Sequence, residues 1–157
     1  MLKKLEAVAR EAGQLILSAE DRKKQVEEKT FAFDLVTSHD KAVQRLAERR
    51  LHEILPEAGF LAEEDVAAPE GSGTWQFILD PIDGTTNFIK DLRMSCISIG
   101  LAKDGQMRYG VVYNPYADEL FSAEKGGGAF LNGRPLSASD RLPSRPVTIM
   151  GMSPYYR

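Results

Sequence analysis

Leu2, Leu5, Val8, Ala9, Ala12, Leu15 and Ile16 recur at steps of three and four residues. That period places them on one stripe of an α-helix and predicts a first helix running to about Val26. Residues 31–36 then read as a short extended segment. A second stripe follows in Val43, Leu46, Ala47, Leu51, Ile54 and Leu55. Thr37 or Ser38 offers a capping hydroxyl, Asp40 is a favourable charge in the first turn, and Pro56 and Gly59 end the helix. Residues 60–62 form a short apolar run that leaves into Glu63-Glu64-Asp65, and residues 67–74 have loop composition. Residues 75–79 predict a strand that stops at Asp80-Pro81, because proline has no N–H to give a ladder. From Met94 onward residues 95–102, 107–113 and 119–123 are strand-like, and Lys103-Asp104-Gly105 and Asn114 to Asp118 separate them. Gly126-Gly127-Gly128 and Asn132-Gly133 mark further turns, and residues 147–151 begin like another strand. Two helices followed by an antiparallel meander make an α+β class, with two N-terminal helices packed on a largely antiparallel sheet.

Composition narrows the function. The 157 residues are enough for one domain with a real core. Apolar residues at 43% and charged residues at 27% argue against a mainly disordered chain. The net charge of −3 hides an uneven distribution. Residues 51–100 carry two basic and nine acidic side chains, a balance of −7, between flanks of +2 each. An acidic middle is a poor footprint for nucleic acid and a plausible one for a divalent cation. Cys96 is the single cysteine, so no internal disulfide forms and a reducing compartment fits. No apolar run approaches the ~18 residues of a membrane span, and the N-terminus turns amphipathic at once without a signal-peptide core. The expected location is therefore cytoplasmic, with no membrane partner.

The chemistry concentrates in Leu79-Asp80-Pro81-Ile82-Asp83-Gly84-Thr85-Thr86-Asn87-Phe88. An apolar strand delivers Asp80 to its end. In a straight strand residues three apart face opposite ways, so a break at Pro81 is needed to bring Asp80 and Asp83 to one side. Gly84 permits a tight turn and close backbone approach. Thr85 and Thr86 open a short helix whose free N–H groups suit an anion such as phosphate. Two carboxylates alone would repel a phosphate. With Mg²⁺ between them they attract it, because Mg²⁺ takes oxygen ligands and keeps room for water and phosphate oxygen. The Ile82 carbonyl, between the two aspartates, is a natural third oxygen. Such a metal lowers the pKa of a water and stabilises a leaving oxygen. The plainer alternative is a solvated surface turn, since Asp-Gly is a common turn dipeptide.

The stretch from Asp80 to Phe88 resembles the signature of the inositol monophosphatase family of Mg²⁺-dependent, lithium-sensitive phosphatases. Other segments agree in order. Lys29, Asp34-Leu35-Val36-Thr37 and Asp40 resemble the family's segment before its second helix. Ala62-Glu63-Glu64-Asp65 resembles its Gly-Glu-Glu-Ser metal-ligand segment, with Ala62 and Asp65 as departures. Gly110 to Tyr113, Asn114-Pro115 and Gly126 to Gly133 resemble its later strands and turns. The Asp-Pro-x-Asp-Gly core is shared with fructose-1,6-bisphosphatases and phosphoadenosine phosphatases, and the Thr-Thr-Asn-Phe extension favours the inositol monophosphatase branch.

The resemblance implies the N-terminal half of a layered αβαβα sugar-phosphatase fold, and a metal-binding domain over residues 1–157. It implies that Glu63, Asp80 and the Ile82 carbonyl hold a first Mg²⁺ and that Asp80 and Asp83 share a second. Asp40 and Thr85 would orient and help deprotonate the attacking water. Gly84 and Thr85, through their backbone N–H groups, and Thr86 beside them would bind phosphate together with Asp83. Lys29 and Glu64 would support the site. The implied reaction is in-line attack by water on a small phosphate monoester such as inositol monophosphate, without a phosphoenzyme, in a homodimer. Plainer readings stand beside these: Glu63 and Glu64 as a solvated acidic loop, Asp40 as a helix-start charge, Lys29 as a surface charge. His39 and His52 lack metal-ligand spacing, and Cys96 reads as packing rather than as a nucleophile.

One departure is large. The family's second half carries a Trp-Asp-x-Ala-Ala-Gly-like segment whose aspartate completes the second metal site, and this chain has no counterpart. The expectation is a chain that resembles the family's metal-ligand half without its C-terminal half. It would expose surface that the other half buries, bind Mg²⁺ weakly and be impaired as a phosphatase. The alternatives are fructose-1,6-bisphosphatase or phosphoadenosine phosphatase activity, or a non-catalytic binding protein on the same fold.

Overall fold

A computed structural model of the chain describes residues 1–18, 26–28, 35–62 and 74–137. The first helix, α1, spans Leu2–Ser18 and buries Leu5, Val8, Ala9, Ala12, Gly13 and Ile16. Val26, the expected end of this helix, instead lies in a short strand, β1 (Val26–Glu28). The apolar stripe of α1 has its last buried member at Ile16, two residues before Ser18. β1 pairs antiparallel with β2 (Leu35–Thr37), which runs directly into α2 (Ser38–Ile54). α2 has Asp40 in its first turn and buries Asp40, Val43, Ala47 and Leu51.

The remaining strands form one seven-stranded sheet in sequence order. They are β3 (Gly59–Ala62), β4 (Trp75–Asp83), β5 (Cys96–Lys103), β6 (Gln106–Asn114), β7 (Glu119–Glu124), β8 (Gly128–Leu131) and β9 (Arg134–Leu136). A five-residue helix, α3 (Thr85–Ile89), sits between β4 and β5. β4 to β9 form an antiparallel meander, of which the sequence predicts β5 to β7 as strands and the later part only as turns, while β3 lies parallel to β4, so the sheet is mixed and mostly antiparallel. Periodicity reveals a strand but not the direction of its neighbour, which explains why the parallel pair was not legible.

One face of the sheet packs on the two long helices. Phe77, Leu79, Ile97, Ile99, Leu101, Val111 and Leu120 join Leu5, Ile16, Val43 and Leu51 in a single core. Gly13 lets α1 lie directly against the Tyr113 ring, where any added Cβ would collide with Cδ1 and Cε1. Alternate residues of the same strands point to the other face, where Ile78, Met107, Val112 and Phe121 are exposed. They line a shallow apolar groove of about 810 Å³ with Asp80 on its wall. No helix among the described residues is long and apolar enough to cross a membrane.

Candidate functional site

The strand expected to stop at Asp80-Pro81 does not stop there. β4 runs on to Asp83 through a register shift. Asp80 pairs with Ser98 and Asp83 pairs with Cys96. Three steps along β4 thus match two along β5, so β4 carries one extra residue, a β-bulge. The missing N–H of Pro81 falls inside the bulge, where no regular ladder bond is required. The bulge also resets the alternation. Ser98 and Cys96 are two apart and share a face, and paired residues share a face, so Asp80 and Asp83 lie on the same side of the sheet. The sequence predicts this outcome through a turn, and the fold achieves it inside a strand.

Asp83 leads straight into Gly84, the residue before α3, with φ 87° and ψ 43°. A Cβ here would sit 3.0 Å from the Met94 carbonyl oxygen, in a backbone conformation that other residues rarely adopt. Thr85 begins α3, and its Oγ1 lies 3.3 Å from Oδ1 of Asp40 and 3.1 Å from the Ile82 carbonyl oxygen. One hydroxyl proton is therefore shared between a carboxylate and a backbone oxygen. Asp40 comes from α2, 45 residues away in sequence, and is 1% exposed. A carboxylate buried to this degree is tolerated when it is hydrogen-bonded. The structure thus brings Asp40, Ile82 and Thr85 into direct contact beside the face that carries Asp80 and Asp83. Thr86 is in the first turn of α3, half-buried.

Cys96 faces the aspartates. Its thiol donates to Oδ2 of Asp83 at 3.6 Å. Burial, then the negative charge of Asp83 and, more weakly, of Asp80, pushes the thiol up to about 12. A thiol held protonated is a poor nucleophile, in agreement with its reading as a packing residue. That both carboxylates act on one sulfur also places them in one electrostatic neighbourhood. Ser95, which the strand pattern gave no role, is buried and donates its hydroxyl to the Gly84 carbonyl at 3.0 Å. Asn87 Nδ2 donates to the Met94 carbonyl at 2.9 Å. No pattern signal marks Ser95, since its partner is a backbone oxygen eleven residues away. His39 packs edge-on against Phe88, with centroids 5.7 Å apart, and His52 is exposed.

Glu63, Glu64 and Lys29 lie outside the described residues. Among the described residues no group of three or more His, Cys, Asp or Glu side chains is gathered as a metal cage. The donors that are gathered are all oxygen: two carboxylates on one face and the Ile82 carbonyl within the bulge that separates them. That donor chemistry fits a hard cation such as Mg²⁺, which coordinates few protein oxygens and completes its shell elsewhere.

Comparison with known proteins gives the same direction. The model of the inositol monophosphatase family matches residues 1–152. Inositol monophosphatase 2 of Solanum lycopersicum is 42% identical over 137 residues, which cover 83% of this chain and 51% of that protein. The crystal structure of the extragenic suppressor protein suhB from Bartonella henselae superposes with a TM-score of 0.82 at 36% identity, over 88% of this chain and 54% of that one. An IMPase/NADP phosphatase complexed with Mg²⁺ and phosphate has a TM-score of 0.76 at 32% identity, over 84% of this chain and 50% of that one. The chain spans about half the length of the curated relatives it matches. With the motif, the two-helix-on-sheet fold and the family model agreeing over nearly all of its residues, this chain belongs to the inositol monophosphatase family.

Proposed function

We propose that this chain carries the metal-ligand and water-activating part of a Mg²⁺-dependent phosphatase acting on a small phosphate monoester such as inositol monophosphate. The observation that carries the reading is the β4 bulge, which sets Asp80 and Asp83 on one face next to the Asp40–Thr85 hydrogen bond. In this reading Asp80, Asp83 and the Ile82 carbonyl hold the cation, together with Glu63. When bound, Mg²⁺ would neutralise phosphate charge and favour water as its hydroxide. The protein groups do the rest. Asp40 Oδ1 accepts from the Thr85 hydroxyl and so draws its proton away from the oxygen, which leaves Thr85 Oγ1 able to accept in turn from an attacking water. The Gly84 and Thr85 N–H groups hold the phosphate, with Thr86 beside them, and Lys29 and Glu64 support the site. Burial of Asp40 keeps this proton-accepting group away from bulk water.

The Mg²⁺ ion, the small phosphorylated substrate, a homodimer and a cytoplasmic location belong to the same proposal. So does a low turnover for the 157-residue chain by itself. Two measurements test it: calorimetric titration of Mg²⁺, and phosphate release from inositol-1-phosphate, each on the native chain and on Asp83→Asn. The expected result is Mg²⁺ binding by the native chain, weakened at least about tenfold by the substitution, because losing a ligand should cost no less than losing an outer-shell partner. Any phosphate release should fall with it. Equal Mg²⁺ affinity in the two proteins would mean that the aspartates do not hold the ion. Mg²⁺ binding with no release from any phosphate monoester would favour the non-catalytic alternative.

A further inference from the structure

We infer that Ser95 is a positioning residue for the turn at Gly84, holding the Gly84–Thr85 peptide so that the Thr85 N–H is presented to a bound phosphate. The inference rests on the function proposed above and names a residue outside the signature.

Ser95 belongs to a small set. Among the described residues the buried polar side chains are Asp40, Ser95 and Ser122. Ser122 donates to Glu6 on α1 and so ties the sheet to a helix. Asp40 accepts from Thr85. Ser95, 3% exposed, turns its hydroxyl to the Gly84 carbonyl at 3.0 Å. The carbonyl oxygen of Gly84 and the N–H of Thr85 belong to one peptide unit. That unit is planar and trans, so the two groups point in opposite directions. Whatever fixes the oxygen therefore aims the N–H.

The restraint is needed at this position. Gly84 sits at φ 87° and ψ 43°, and a glycine has access to many other backbone states, so the following peptide has a local freedom that a substituted residue would lack. The same carbonyl accepts the Phe88 N–H at 3.0 Å, the first bond of α3. A five-residue helix is too short to be rigid by itself. Ser95, the residue before β5, adds a second donor. Asn87 closes the loop through its bond to the Met94 carbonyl, and the Leu92 N–H bonds the Asn87 carbonyl at 2.9 Å. The turn that would receive phosphate is thus tied at both ends to the entry of β5. Of these ties to the entry of β5, the Ser95 bond is made to the peptide that carries the Thr85 N–H, alongside the Phe88 bond from within α3.

The test compares the native chain, Ser95→Ala and Ser95→Thr by amide NMR and by calorimetric titration of inorganic phosphate in the presence of Mg²⁺. Mg²⁺ affinity without phosphate is measured alongside as the structural readout. Ser95→Ala is expected to weaken phosphate about tenfold, the scale of one hydrogen bond lost from a buried acceptor, and to blunt the response of the Thr85 amide. Mg²⁺ affinity should stay at the native value. Ser95→Thr keeps the hydroxyl and should recover most of the phosphate affinity. Phosphate binding left intact by Ser95→Ala overturns the inference and leaves the proposed function standing. Equal loss of Mg²⁺ and phosphate affinity in Ser95→Ala overturns it too, since the residue would then act on the whole fold. A native chain that binds Mg²⁺ but no phosphate overturns the proposed function and the inference with it.

Discussion

The two faces of the main sheet are built from alternate residues of the same strands, and they do different work. Toward α1 and α2 the strands present Phe77, Leu79, Ile97, Ile99 and Leu101, all fully buried. On the opposite face lie Ile78 at 38% exposure, Phe121 at 41% and Met107 at 48%. That face also carries Asp80, Asp83 and Cys96. The helix face holds the fold together. The open face is free of that duty, which is why it can hold two like charges and a thiol bonded to one of them. A strand of period two normally assigns each residue to one face by parity. The single extra residue in the β4 bulge moves Asp83 onto the face that parity would have denied it.

This contrast is most easily broken by truncating a side chain on each face of β4. Phe77→Ala removes a buried ring from between the sheet and the helices and should cost about 3–5 kcal/mol. Ile78→Ala, its immediate neighbour, should cost within about 1 kcal/mol, because its side chain is already partly in water. Urea unfolding of both variants measures the gap. Equal losses would show that the open face is part of the core.

Two further substitutions act on the open face and its turn. Gly84→Ala asks a Cβ to occupy a left-handed backbone position 3.0 Å from the Met94 carbonyl, and should cost about 1–2 kcal/mol. Its melting temperature should fall clearly below that of a matched Gly105→Ala variant. There φ is also positive, at 73°, but the added Cβ meets nothing within 4 Å, so the difference isolates the steric part. Asp80→Asn should reduce the response of the melting temperature to Mg²⁺. With Mg²⁺ present the native chain should gain stability through binding and the variant should gain less. A variant destabilised without the ion would make Asp80 a structural residue.

Much of this was legible in the chain. The stripe from Leu2 to Ile16 marks α1, the stripe from Val43 to Leu55 marks α2, and β5 to β7 follow from their alternation and the turns between them, whereas β8 and β9 are marked only by the Gly and Asn turns beside them. The motif from Asp80 to Phe88 is a local signal, so the candidate carboxylates could be read directly. What escaped reading is what depends on distant partners. The bulge is defined by the pairing of Asp80 and Asp83 with Ser98 and Cys96, and proline alone suggested a strand end. The parallel pairing of β3 with β4 leaves no mark in composition. The Asp40–Thr85 contact spans 45 residues, and only the family resemblance suggested that the two act together. Ser95 bonds a backbone oxygen, for which no side-chain pattern exists.

The smallest expected effect concerns the rim of the helix face. Arg10 on α1 donates to Asp118 at 2.6 Å and stacks over the Tyr113 ring, while the Tyr113 hydroxyl donates to the same Asp118 oxygen at 3.0 Å. The Arg10 hydrogen bond, then that of Tyr113, holds the Asp118 carboxyl below its ordinary value of 3.8. A carboxyl with a lowered folded pKa contributes stability that is present above the ordinary value and lost as pH falls through the folded one. Asp118 is open to solvent, so the contribution is small and further reduced by salt. Asp118→Asn should therefore lower the melting temperature slightly at pH 6 and low ionic strength. The difference from the native chain should shrink as pH drops below about 4 and should also shrink at high salt. A deficit that stays constant from pH 6 to pH 3 would mean that Asp118 acts through hydrogen bonds that survive loss of its charge. The helix face would then be fastened at its edge by geometry rather than by ion pairing.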